Sequence, residues 1–251
     1  MKVKNIFIVI IGISIVFGQS GYEITKTLDE KDKPKNMISK TTMVLTNSKG
    51  KTRNSVMISK TMDNSRRQLI WFLEPKDDKG VSFLKIEHDD RDDEMRIWLP
   101  AFKRVRRISA SKKADSFMGS DLSYEDMTSR SLDENEYKRL DNETVNGREC
   151  FVIEVTPNAS LKSSYSKHKI WIVKDDLYII KEESYDKREN LKKEKLFSYI
   201  KIDNYDIISK ISVKDVQKDH KTDISFEQVK VDTDMSEKIF QEKSLKRLPS
   251  H

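Results

Sequence analysis

The chain has 251 residues, enough for one large domain or two small ones. Hydrophobic and charged residues each make up 36% of it, with only 7 glycines and 5 prolines, which excludes a disordered chain on the strength of its regular apolar segments. The formal charge of +6 is mild and acids are interspersed throughout, so it permits attraction to anionic lipid surfaces without marking a nucleic-acid binder, and the single cysteine excludes an intrachain disulfide.

Met1 to Ser20 reads as an export signal. Lys2 and Lys4 form its positive end, and Ile6 to Phe17 is apolar apart from Gly12 and Ser14. That core fits the ~7–15 residues of a signal peptide. It is too short for the ~20 residues that cross a bilayer. Val16 and Gly18 suit a cut before Gln19, and Gly18 with Ser20 offers a second cut after residue 20. The expectation is therefore a leader over 1–18 and one exported domain over 19–251. Cys150 lies far from that junction and cannot carry a lipid anchor there; it reads as a buried strand residue.

Tyr22 to Lys33 suits a short helix, with Ile24 and Leu28 on one face and Pro34 as its stop. It is too short to stand alone, so it must dock, as a lid or as an edge cover. Alternation then takes over. Met43 and Leu45, then Val56 and Ile58, make a hairpin around Asn47–Lys51. Leu69, Ile70, Trp71, Phe72 and Leu73 run without a polar break, as in a strand covered on both faces. Phe83, Leu84 and Ile86 pair with Met95, Ile97 and Leu99 across the acidic turn His88–Glu94. That turn lacks the glycine and ligand spacing of a calcium loop, and reads as a solvated hairpin end.

The stretch from Met95 to Met127 organises the rest. After Pro100 come Lys103, Arg104, Arg106, Arg107, Lys112 and Lys113, and then the charge reverses at Asp115, Asp121, Glu125 and Asp126. Phe117, Met118 and Gly119 sit between the two blocks, where Gly119 allows a tight turn. "WLPAFKRVRRI" followed by "DSFMGSDLSYEDM" resembles the signature of the LolA-like outer-membrane lipoprotein-sorting family, in its largely uncharacterised periplasmic branch. The likeness extends more weakly over "FLEPKDDKGVSFLKI" and "KIWIVKDDLYIIKEESYD". It implies an incomplete antiparallel β-barrel around an apolar cavity, with helices as a lid. It also implies carriage of a lipid or lipoprotein rather than catalysis.

Beyond this stretch, Leu140–Gly147 reads as a turn region. Strands follow around Phe151–Val155, Ile170–Val173, Leu177–Ile180, Leu196–Ile200, Ile211–Val216 and Ile224–Val231. Ile239, Phe240, Leu245 and Leu248 form a last helix or a closing edge. The total is about ten or eleven hairpin-linked strands in a mainly β fold, and a sheet of that size curls because strands twist.

No catalytic constellation appears. His88, His168, His220 and His251 have no partner at metal-ligand spacing, and there is no nucleophile elbow or phosphate loop. The expectation is a non-enzyme without metal or cofactor. Its apolar cavity is expected from Leu69, Trp71, Leu73, Leu84, Ile97, Leu99, Phe151, Ile153 and Trp171, with the adaptable methionines Met43, Met57, Met62, Met95, Met118 and Met127 as further candidates taken together, although each one singly reads as core. Phe117, Met118, Gly119 and Tyr124 are the candidate gate. Arg104, Arg106 and Arg107 either pair with Asp121, Glu125 and Asp126 to pin the motif, which their balanced charge favours, or hold anionic head groups. The function expected is a monomeric periplasmic carrier of lipid or lipoprotein, served by an inner-membrane transporter and an outer-membrane acceptor, with no nucleic-acid partner. The alternative is an adaptor that docks on a membrane transporter through the basic residues 103–113.

Overall fold

A computed structural model describes residues 19–249. The expected leader over 1–18 lies outside the described residues. The described chain starts with helix α1 (Gly21–Asp29), capped by Ser20, whose hydroxyl accepts from the Glu23 amide while the Glu23 carboxylate takes the Ser20 amide. Ile24 on its buried face is 1% exposed. Gly21 lets α1 sit directly on the sheet, because a Cβ there would come within 3.0 Å of the Arg139 backbone nitrogen.

Six strands follow in a meander: β1 (Asn36–Thr46), β2 (Thr52–Met62), β3 (Arg67–Glu74), β4 (Ser82–Ile86), β5 (Glu94–Leu99) and β6 (Arg104–Arg107). Seven more come after a long connection: β7 (Asn135–Val145), β8 (Arg148–Pro157), β9 (Lys167–Val173), β10 (Ile179–Tyr185), β11 (Leu191–Ile202), β12 (Tyr205–Asp215) and β13 (His220–Val231). A short helix, α2 (Glu242–Leu245), ends the described chain. All thirteen strands form one antiparallel sheet in the order β6-β5-β4-β3-β2-β1-β13-β12-β11-β10-β9-β8-β7. The sheet is open and curled, as expected, with two strands more than the sequence suggests.

The two additional strands, β6 and β7, are the two edges of the sheet. Each has a neighbour on one side only and little apolar sequence, so nothing in its pattern announces burial. The segment read as a turn, Leu140–Gly147, is the end of β7 plus the tight turn at Asn146–Gly147, both with positive φ.

This topology dictates the interior. The first meander ends at one edge of the sheet and the second begins at the other. The connection, residues 108–134, therefore has to cross a face of the sheet, and it crosses the concave one. Ile108, Phe117 and Tyr124 bury themselves there against Met43, Met57, Ile70, Phe72, Phe83 and Ile97. Phe117 meets Phe83 edge-on at 5.2 Å and Tyr124 at 5.9 Å. We call this crossing segment the plug. On the convex face, Phe240 and Leu245 cover Leu69, Trp71 and Leu84. At the β8–β9 end of that face, Cys150, Val152, Trp171 and Val173 form a separate core.

Candidate functional site

The plug fills part of the concave face and α1 covers another part, packing Ile24 and Leu28 on Ile153, Val155, Ile170 and Ile172. Between them the sheet leaves a cavity of about 640 Å³. Its walls carry Met43 from β1, Met57 from β2, Ile70 from β3, Ile211 from β12, and Ile224 and Phe226 from β13. Phe117, Leu122 and Met127 of the plug close one side, and Leu28 of α1 another. The exposed lining residues Asp29, Asp32, Asn64 and Ser65 mark the opening. Lys31 ties the end of α1 across to β12 through Asp206 at 2.8 Å.

None of the nine residues expected to line the cavity does so. Leu69, Trp71 and Leu84 face the convex side under α2, and Leu73 shares their strand parity. Trp171 belongs to the convex core around Cys150. The β3 residues that line the cavity are Gln68 and Ile70, of the opposite parity, so the expectation for this strand was one residue out of phase. Ile97 and Leu99 do face inward, but against the plug rather than the void. Phe151 and Ile153 lie beneath α1. The methionines divide: Met43, Met57 and Met127 line the cavity, whereas Met62 packs on the convex side and Met95 and Met118 belong to the core around the plug.

Of the candidate gate, Phe117 lines the cavity and Tyr124 is buried beside it. Met118 and Gly119 form the turn at the tip of the plug, with φ of 51° and 81°.

The proposed pairing of arginines with acids inside the motif does not form. Arg104, Arg106 and Arg107 lie exposed or nearly so on edge strand β6, with no ion pair among the described residues. Their expected partners are used elsewhere. Asp121 accepts from Thr222 at 2.6 Å and meets His220 Nδ1 at 2.8 Å. Glu125 takes the Ser163 hydroxyl and the Ser164 amide. Asp126 is fully buried and accepts from both Lys193 and Lys195 at 2.6 Å. The reason is geometric: β6 belongs to the sheet edge, while the acids ride the plug to the opposite half of the molecule.

Asp126 opens a network that sequence reasoning missed. Lys195 also donates to Glu182 at 2.9 Å, and Arg130 grips Glu182 with two bonds of 2.7 and 2.8 Å. Tyr165 donates to Asp126, and His168 lies 3.0 Å from Ser184 and 3.4 Å from Arg130. Asp126, Arg130, Glu182 and Lys195 all line the cavity, so its floor is charged while its walls are greasy. Burial alone would push the Asp126 carboxyl up, but Lys195 and Lys193 outweigh it and hold it well below the usual carboxylate range. Burial opposes ionisation of Glu182 too, and Arg130 and Lys195 again reverse the sign. Burial and then Arg130 push His168 down to about 4, so its ring is neutral at pH 7. The alternation Lys193, Lys195, Phe197 was the available signal. It puts two lysines on the same inner face as a cavity aromatic, while Leu196 at 45% exposure points outward.

Among the described residues no three His, Cys, Asp or Glu side chains gather to hold a metal ion, and no helix is long and apolar enough to cross a membrane.

Known proteins with this fold carry the comparison further. A family model described as an uncharacterized protein matches residues 64–247. A domain from Vibrio parahaemolyticus, classed with outer membrane lipoprotein-sorting proteins, superposes with a TM-score of 0.85 at 29% identity, covering 90% of this chain and 98% of that one. A DUF1329 family protein from Desulfovibrio piger gives 0.84 at 30% identity, covering 90% and 97%. A LolA superfamily protein from Nitrosomonas europaea gives 0.71 at 15% identity, covering 90% and 100%, a likeness of fold. No curated protein matches the sequence significantly.

Proposed function

This chain belongs to the DUF1329 family, and from that premise we propose that it is a periplasmic carrier, without catalysis of its own, that shields the acyl chain of a lipid or lipoprotein on its way to the outer membrane. The observation that carries this reading is the cavity itself. Its 640 Å³ lies within the ~300–1,000 Å³ of pockets that enclose small ligands. Its strand walls carry methionine, isoleucine and phenylalanine, with Thr41, Ser59, Thr61 and Gln68 among them, around a void rather than a filled core. Each CH₂ removed from water contributes about 0.8 kcal/mol, so a fourteen-carbon chain resists leaving such a site by roughly 11 kcal/mol. Release then requires a moving wall. The Phe117–Gly119 tip of the plug, with Tyr124 behind it, is that gate in this reading.

Export by a leader over 1–18, action of residues 19–251 as one unanchored monomeric domain, loading from an inner-membrane transporter and delivery to an outer-membrane acceptor complete the proposal. The relatives' fold and the lipoprotein-sorting class of the Vibrio domain support it. Ile208 lines the cavity and is half-buried, so Ile208→Trp should fill the void without unfolding the sheet. We expect about tenfold weaker binding of a neutral apolar dye at an unchanged melting temperature. Unchanged affinity would place the dye, and the function, elsewhere.

A specific surface favours a docking role besides. Phe102 is 75% exposed and leads into Arg104, Arg106 and Arg107 on the open edge β6. Residues 103–113 thus present a basic strip beside an aromatic tip, suited to an anionic partner at the membrane. Arg106→Glu should abolish cross-linking to a membrane transporter while dye binding persists; retained cross-linking removes this role.

A further inference from the structure

The charged floor of the cavity carries a surplus. Arg130, Lys193 and Lys195 face Asp126 and Glu182, three cations against two carboxylates. His168 is neutral there. The neighbouring Glu125 bonds to Ser163 and Ser164 and to none of these cations. Lys85, which also lines the cavity, is matched singly by Glu87 at 2.5 Å. Within the bonded cluster cations thus exceed carboxylates by one, where water screens charge poorly.

Donors are left over as well. Lys195 Nζ donates to Asp126 and Glu182, two bonds from an ammonium that has three to give. Lys85 Nζ donates to Glu87 and to the Met127 carbonyl, again two of three. Their side chains are 5% and 2% exposed, and both line the same void. They flank one short turn of the plug, since one is bonded at Asp126 and the other at Met127. Arg130, at 32% exposure, is the third cation on this wall.

We propose that Lys195, Lys85 and Arg130 form a head-group subsite for an acidic, single-chain amphiphile, with its carboxylate or phosphate monoester on the floor and its tail along Met43, Met57 and Phe226. This rests on the carrier reading of the cavity and narrows its cargo. A neutral head leaves the surplus charge unmatched and the spare donors unmade, whereas a singly charged anion answers both.

The test uses the mature protein and three ligands with the same twelve-carbon tail: dodecanoic acid, dodecyl phosphate and dodecanol, each displacing a neutral naphthylamine dye. At least one anionic ligand should bind about tenfold or more tighter than the alcohol, and the better of the two names the head group. Lys195→Met removes the surplus yet leaves Asp126 with Lys193 and Glu182 with Arg130. In that variant the ratio of anion to alcohol affinity should shrink toward parity. Equal affinities for all three in the wild type overturn the inference and leave the carrier reading intact. Binding of none of them overturns both. The wild-type comparison decides the matter even if the variant folds poorly.

Discussion

Asp126 shows how one residue ties the plug to the sheet. It is fully buried, and two lysines from β11 plus the Tyr165 hydroxyl converge on it. Beside it, His168 is the group whose titration should be seen in solution. Its folded pKa, about 4, lies below the ~6.5 of an unfolded histidine, so the unfolded chain binds the extra proton first. Its contribution is complete above pH 6.5 and is lost as pH falls toward 4. Between pH 7 and 5, above most carboxylate titrations, urea unfolding should show a loss of about 2 kcal/mol that His168→Gln largely abolishes. Parallel profiles for the two proteins would contradict this. Legibility at this scale was uneven. The continuous run Leu69–Leu73 correctly signalled a strand covered on both faces, but such a run has no polar residue to say which parity faces inward. Ile70 and Leu69 were therefore exchangeable in the sequence and are not in the fold. Asp126 was visible as a motif acid, but its lysine partners lie 67 and 69 residues away, beyond any local pattern.

At the scale of elements, the plug is held at its tip by Asp121, which accepts from Thr222 and meets His220 on β13. The tip is otherwise a turn through Met118 and Gly119, where a Cβ on Gly119 would meet only Leu45, at 3.9 Å. Asp121→Ala removes these bonds, each worth about 1–3 kcal/mol when buried. Amide exchange across residues 116–124 should then quicken by about tenfold or more while the strands keep their protection. Uniform acceleration over the whole sheet, or none, would mean that the plug does not open as a unit. The elements that went unread were the two edge strands. Arg104–Arg107 and Asn135–Val145 are polar because an edge meets solvent and must not recruit foreign strands, so the chemistry that keeps them safe also hides them. The helix over Tyr22–Lys33 was legible from Ile24, Leu28 and Pro34, and it proves shorter, ending at Asp29.

The whole molecule follows from one topological fact. Two meanders share a sheet through β1 and β13, and the chain must travel from one far edge to the other between them. That journey lays residues 108–134 across the concave face, where Phe117 and Tyr124 fill one half and leave the other hollow. The mainly β class, the curl and the importance of Met95–Met127 were legible because alternation and strand count survive without tertiary information. The hollow was not, since a void is a property of which residues fail to meet. Its contents give the most direct measurement: mass spectrometry of lipid extracted from the native, leader-cleaved protein without detergent exposure. A recurrent acyl-chain amphiphile is expected, near one per molecule and depleted in Ile208→Trp. Repeated recovery of the protein with no bound amphiphile would contradict it.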